Sequence, residues 1–114
     1  MEAFSAALIV KALDGLSARS IATAENIANA STANYRPIRV SFEQALAAAA
    51  RSGDVSQVKP TLEQAAENTP DADLRLDLEL LTASSTATRY SALIEILNRE
   101  LELDASALRE VTSP

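Results

Sequence analysis

Two long stretches at the ends of the chain, each almost free of helix-breaking residues, constrain its fold most. Residues 4–30 contain no Pro and one Gly, and residues 71–113 contain neither. In both stretches small or apolar residues recur at spacings that alternate between three and four, as in a helix that packs lengthwise on a partner. The pattern therefore predicts two long helices that pair with each other.

The positions that form each predicted seam can be read directly from the sequence. In the first stretch they are Ile9, Leu13, Leu16, Ser20, Thr23, Ile27 and Ala30. In the second stretch they are Leu80, Ala83, Ala87, Tyr90, Ile94, Leu97 and Leu101. We expect Asp71 or Asp73 to cap the second helix, and a slip of the pattern near Asp104 to bend or fray it.

Between the two stretches, the chain contains signals for short elements only. Ile38, Val40 and Phe42 alternate behind Pro37, which predicts a short extended segment. We expect too few partners there for a real sheet.

Capping residues predict short helices in the same middle region. Ser41, with Gln44 three residues later, fits the start of a helix that Gly53 ends. Thr61 and Gln64 repeat this spacing, which predicts one or two helical turns there. We therefore divide the chain into paired terminal helices at 1–34 and 71–114 and a middle segment at 35–70.

The composition removes most enzyme chemistry. The 114 residues include no Cys, no His and no Trp, so thiolate nucleophiles, His bases and His or Cys metal ligands are absent. The spacing of Ser56 and Lys59 matches a nucleophile motif, but no companion motif accompanies it. We expect no catalytic residue, no cofactor-binding residue and no metal ligand.

The charge and the hydrophobic content bear on partners. The net charge is −6, and residues 61–114 alone carry −7, which disfavours nucleic acid and anionic membrane surfaces. Glu2 stands where a secretory signal needs positive charge, so we expect neither a cleaved signal nor membrane insertion. Of the hydrophobic residues 23 are Ala and only 31 are larger, so we expect partner subunits to contribute apolar surface.

The most specific feature is a pair of asparagines near the end of the first predicted helix. Asn26 and Asn29 are three residues apart and so share one helix face, although Asn has a poor helix propensity. In one interpretation they are turn residues whose amides satisfy loose backbone groups. In the other, buried amides set the register against a neighbouring helix.

The residues around this pair resemble a known family, the axial proteins of the bacterial flagellum, and within it the basal-body rod proteins. The family signature is an Arg, a helical stretch, the block Asn-Ile-Ala-Asn-Ala, and a Thr-Pro-Gly-Tyr turn followed by a basic residue. The residues that match it are Arg19, Asn26, Ile27, Ala28, Asn29, Ala30, Thr32, Tyr35 and Arg36. Further residues that resemble the proximal rod members are Phe42, Glu43, Leu46, Arg89, Tyr90, Leu93, Leu97 and Arg99.

The chain departs from this signature in two places. Ala33 and Asn34 replace the Pro-Gly of the turn, although Asn tolerates the left-handed conformation that Gly would supply. The usual Asn-Val-Asp-Leu entry to the last helix is also replaced, by residues 73–76.

The resemblance implies an all-α fold, an elongated antiparallel hairpin of coiled-coil-like terminal helices with a small, partly extended middle segment. It implies a structural subunit of the proximal rod in the basal body, which self-associates in a helical assembly and carries torque across the periplasm. The flagellar type III apparatus would export it from the cytoplasm without a cleaved signal. The implied partners are other rod proteins, the rotor (MS) ring and the export gate. The assembly interface that we predict comprises Leu13, Leu16, Asn26, Ile27, Asn29, Tyr35, Tyr90, Ile94, Leu97 and Leu101.

A different class of function is also open. The same apolar seams would let a cytoplasmic helical adaptor or chaperone-like binding module hold one partner.

Overall fold

The computed structural model describes residues 3–66 and 72–112. Helix α1 covers Ala3–Ala28, and the 41-residue helix α3 covers Ala72–Thr112. Between them lie strand β1 at Ile38–Ser41, helix α2 at Glu43–Ser52 and strand β2 at Thr61–Gln64.

The two long helices form an antiparallel hairpin. Asn26, near the end of α1, contacts Glu79 near the start of α3, whereas Leu16 lies beside Thr86 further along α3. The molecule measures 68 × 26 × 14 Å, with a radius of gyration of 18.3 Å. A compact domain of this length has a radius of gyration of about 13 Å. The predicted elongated helical hairpin is confirmed.

The ends of the elements follow local backbone chemistry. Helix α1 ends close to its predicted limit. Helix α3 continues through Asp104 to Thr112, so it does not fray there as one alternative expected, and a bend at Asp104 stays a prediction. Asn34 adopts a left-handed φ of 62°, as expected for the residue in place of Gly. Gly53 ends α2 with a φ of 81°, and its N–H donates to the carbonyl of Ala49.

Two expectations about the helix starts have different outcomes. Phe42, rather than Ser41, is the N-cap residue of α2, and its side chain makes no cap hydrogen bond. The proposed caps of α3 at Asp71 and Asp73 lie outside the described residues and side chains.

The middle segment contains a sheet, which corrects two of our predictions. The extended segment at residues 38–41 does find a partner, because β1 pairs antiparallel with β2 and Val40 stands opposite Leu62. Residues 61–64 are therefore a strand and not the predicted helical turns. A capping-box spacing is a local signal, and here the pairing of the exposed backbone with β1 prevails over it.

The buried face of α3 is rotated by one residue from the predicted seam. Leu80 and Leu101 are 50% and 54% exposed, and Ala87 is also exposed. Glu79 and Thr86, one residue earlier, are only 1% and 3% exposed. Four members of the predicted seam are therefore exposed, namely Leu80, Ala87, Tyr90 and Leu101, whereas Ala83, Ile94 and Leu97 are partly buried beside a more polar row that faces α1.

The core lies where α1 meets both β1 and α3. Its buried members are Ala12, Leu16, Ala22, Val40 and Phe42. Ala18, Ile38, Leu46 and Leu93 pack against this group. Because β1 and α2 occupy one side of α1, α3 packs on the remaining side and turns its Glu79 row towards both α1 and β1. No helix among the described residues is long and apolar enough to cross a membrane.

Candidate functional site

The carboxamide of Asn26 is the centre of a buried hydrogen-bond network. Asn26 is 2% exposed and joins three parts of the chain. Its Nδ2 donates to the carbonyl of Ile38 at 2.8 Å and to Oε2 of Glu79 at 3.2 Å. Its Oδ1 accepts from the N–H of Ile38 and from the hydroxyl of Tyr35, both at 2.8 Å. The amide thus uses both donors and two acceptor positions to tie α1 to β1 and α3.

Glu79 brings a carboxylate into the same network. Its side chain is 2% exposed, and it forms an ion pair with Arg39 of β1, whose side chain remains half-exposed. A buried carboxylate needs both a charge partner and hydrogen bonds to offset its loss of hydration. Arg39 supplies the charge, and the Asn26 amide supplies a further hydrogen bond.

Tyr35 covers the network from the turn after α1. Its hydroxyl donates to Asn26, and burial raises the pKa of this phenol above its usual value. The carboxylates of Glu25 and Glu79 raise its pKa further, while Arg39 acts in the opposite direction. The hydroxyl therefore remains a donor at neutral pH, as its hydrogen bond to the Asn26 oxygen requires.

Asn29 behaves differently from Asn26. Its Nδ2 donates to the carbonyl of Glu25 at 2.9 Å, and its Oδ1 accepts from the hydroxyl of Thr32 at 3.1 Å. These are local contacts at the end of α1, as in the simpler of the two interpretations. Asn26 instead sets the register of α1 against α3 within the chain, and the register between subunits stays a prediction.

Arg19 anchors the other side of β1. Its guanidinium donates to the carbonyl of Val40 and to Oε1 of Glu43, each at 2.7 Å, and lies 4.9 Å above the centre of the Phe42 ring. The hydrogen bond from Arg19 lowers the pKa of Glu43 below its usual value. The ring of Phe42 rests directly on Gly15, where an added Cβ would lie 2.4 Å from its carbons.

Arg75 of α3 holds the turn that follows α1. Its guanidinium donates to the carbonyl of Ala30 at 2.5 Å and to that of Tyr35 at 3.3 Å. The carbonyls at the end of a helix lack partners within the helix, so a cation there is favourable. On the opposite side of this turn, Arg36 donates to the carbonyl of Ala65 next to β2.

The structure separates the predicted interface residues into two groups. Leu13, Leu16 and Asn26 are buried, and Ile27, Asn29, Tyr35, Ile94 and Leu97 are partly buried. Tyr90 and Leu101 are exposed, at 39% and 54%. The first group is thus largely covered within the chain, whereas Tyr90 and Leu101 remain accessible to a partner.

Sequence reasoning missed Glu79, Arg39 and Arg75. Glu79 lies next to Leu80 of the predicted seam and is not itself a seam position. The asparagine pair could have indicated that a polar partner such as Glu79 exists, because a buried amide needs polar partners. Nothing local identified those partners, which lie 53 residues away for Glu79 and 12 for Ile38.

Arg39 is half-exposed and Glu79 is buried, so we expect substitutions of these two residues to lower the stability by different amounts. Arg39→Ala leaves a carboxylate buried without its charge partner and is expected to cost about 3 kcal/mol of unfolding free energy. Glu79→Gln removes the buried charge and lets the half-exposed Arg39 hydrate, so we expect a loss of about 1 kcal/mol. Urea denaturation followed by circular dichroism measures both variants.

The double variant provides the control for this difference. In Arg39→Ala/Glu79→Gln no charge is stranded, so its stability should lie close to that of Glu79→Gln. Equal losses of about 1 kcal/mol or less in the two single variants would show that the pair contributes no more than a surface ion pair.

The arrangement binds α1, β1 and α3 together. Among residues 3–66 and 72–112 there is no group of three or more His, Cys, Asp or Glu that could hold a metal ion. The resemblance to rod proteins rests on the motif residues named above, and several of them, such as Tyr35, lie around Asn26. In comparisons with protein-family models, curated proteins and solved structures, nothing matches this chain.

Proposed function

We propose that this protein is a structural subunit of the flagellar basal-body rod, most similar to its proximal members. In this role it polymerises through its terminal helices into the tube that transmits torque across the periplasm. The flagellar type III apparatus exports it without a cleaved signal. Its partners are other rod proteins, the rotor ring, the export gate and further copies of itself. The proposal assigns it no catalytic residue, cofactor or metal.

The observation that carries the proposal is the convergence of the motif residues on one junction. Asn26 and Tyr35 share a hydrogen bond, and Asn29 and Thr32 share another within the turn between them. Arg19 holds β1 from the adjacent turns of α1. These residues fix the geometry at one end of the hairpin. A subunit needs such a fixed geometry if its helices are to stack in a regular tube.

The exposed flanks of α3 support the same proposal. Leu80, Leu81, Leu101, Leu103 and Leu108 are between 50% and 67% exposed. Leu101 and Leu108 are seven residues apart and so share one stripe of α3, and we infer that another molecule covers this apolar stripe. The cytoplasmic adaptor or chaperone-like module draws on this observation too and is the second candidate.

Deletion of the gene in the native host tests the proposal. We expect loss of motility and basal bodies that end at the rotor ring, because a missing rod subunit blocks every later axial component. Re-expression of the wild-type chain should restore both, and the protein should be found in purified basal bodies. An adaptor would instead remain in the cytoplasmic fraction with its partner. Normal basal bodies in the deletion strain would refute the rod assignment.

A further inference from the structure

An open groove of about 440 Å³ lies beside α3 where this helix passes β1 and α1. Three arginines line it, one from each of these elements: Arg19, Arg39 and Arg89. Leu81, which is 67% exposed, forms an apolar part of the same lining. We call this surface the arginine groove.

The positive charge of the arginine groove is only partly neutralised within the chain. Arg19 pairs with Glu43, and Arg39 pairs with Glu79. Arg89, within the part of the chain that the structure describes, makes no ion pair or hydrogen bond. The groove therefore presents one guanidinium without an ion-pair partner among the described residues, Arg89, and one exposed leucine in the same lining.

The C-terminal end of α3 carries the complementary chemistry. Every residue from 101 to 112 is exposed. Leu103 is 57% exposed, and Glu110 makes no ion pair with the described residues. These two residues are seven positions apart, which places them on the same stripe of the helix. We call residues 101–112 the terminal segment.

The spacings on the two surfaces agree. Leu81 and Arg89 are eight residues apart, about 12 Å along the helix axis, and Leu103 and Glu110 are about 10 Å apart. A helix laid along the groove can therefore bring leucine to leucine and carboxylate to guanidinium at the same time. The terminal segment cannot reach the groove of its own chain, because Leu81 and Leu103 lie about 33 Å apart on one continuous helix.

We propose that the arginine groove of one copy binds the terminal segment of a second copy, with Glu110 pairing with Arg89 and Leu103 covering Leu81. The two surfaces are different, so the contact joins copies head to tail and leaves a free groove at one end and a free terminal segment at the other. The inference rests on the proposed function in that a rod subunit must self-associate, and it names the surfaces that do so. The acidic C-terminal half makes a nucleic acid a poor occupant of the same groove.

Sedimentation velocity of the purified full chain, over a range of concentrations at low and high salt, tests this contact. We expect the wild type to form a concentration-dependent series of oligomers that shortens at high salt, because ions screen the pair. Arg89→Glu and Glu110→Arg should each weaken association by about tenfold or more. The double variant Arg89→Glu/Glu110→Arg restores opposite charges and should recover most of the association.

Arg51→Glu is the matched control. Arg51 is exposed in the last turn of α2, away from the arginine groove, and its replacement changes the net charge by the same amount. Association of this variant should equal that of the wild type. Circular dichroism of all variants verifies that they remain folded.

Three results would overturn the proposal: a wild type that stays monomeric throughout, an Arg89→Glu variant that weakens no more than Arg51→Glu, or a double variant that does not recover. Failure of this contact differs from failure of the rod assignment. If the Arg89→Glu variant associates normally and also restores motility to the deletion strain, the proposed contact at the arginine groove is wrong and the rod assignment stands. If the charge exchange behaves as expected but deletion leaves motility intact, the contact stands and the rod assignment is wrong.

Discussion

Asn26→Asp is expected to lower the free energy of unfolding by about 3 kcal/mol or more at neutral pH, although it replaces one NH2 group by an oxygen. The Nδ2 of Asn26 donates to the carboxylate of Glu79 and to the carbonyl of Ile38. An aspartate places an acceptor against both acceptors and a second negative charge in a buried site. Chemical denaturation of the purified variant measures the loss.

The pH dependence of this variant identifies the cause. Two adjacent buried carboxylates disfavour each other's charged form, and on acidification such a pair takes up a proton that one carboxyl donates to the other. The stability difference between Asn26→Asp and the wild type should therefore shrink as the pH is lowered. A difference that is independent of pH would mean that the network around Asn26 is not buried in solution.

Asn29→Asp is the matched control on the same face of α1. Asn29 donates to the carbonyl of Glu25 at the helix end and accepts from Thr32, and both of these partners lie within four residues of it. We expect a loss of about 1 kcal/mol or less, which combines one local hydrogen bond with an unfavourable charge near a helix C-terminus. A loss as large as that of Asn26→Asp would contradict the separate roles of the two asparagines.

Gly15→Ala is expected to destabilise the chain by about 1 to 3 kcal/mol, against the usual effect of this substitution. In an exposed helix interior, Ala is more favourable than Gly by up to about 1 kcal/mol. At Gly15, however, the added Cβ would lie 2.4 Å from the Phe42 ring, which is itself 5% exposed and has little room to move. Overpacking of this kind costs more than the propensity supplies. Thermal and urea denaturation measure the net effect.

Two further variants separate packing from helix propensity. Ser17→Ala lies on the same helix at an exposed position, so it should be neutral or slightly stabilising. Phe42→Leu removes part of the ring, and in that background Gly15→Ala should cost less than it does alone. If Gly15→Ala proves stabilising in the wild-type background, β1 and α2 do not pack on α1 as described.

The turn after α1 shows how far local chemistry alone carries a prediction. The left-handed φ of Asn34 and the end of α2 at Gly53 follow from the few residues that tolerate such backbone angles. Both were predicted from the sequence. The pairing of β1 with β2 was not, because residues 61–64 carry a helix-start spacing and find their partner 20 or more residues earlier in the chain.

Local patterns in the sequence were enough to predict the two long helices, their approximate limits and the polar pair near the end of the first helix. All of these depend on periodicity and on capping or turn residues, which act over a few positions. Which of the two asparagines is buried depended on the tertiary structure, because Asn26 faces β1 and α3 while Asn29 faces its own turn.

The tertiary structure also decided which face of α3 turns inward. A heptad pattern predicts the spacing of a seam along a helix. It does not decide which face of α3 is buried, because apolar residues lie on several faces of this helix. The strand β1 beside α1 selects the row of Glu79 and Thr86, because Arg39 and Asn26 together neutralise and bind the carboxylate there. Leu80 and Leu101 are consequently left exposed. Contacts between elements far apart in sequence thus set the rotation of a helix whose existence was determined locally.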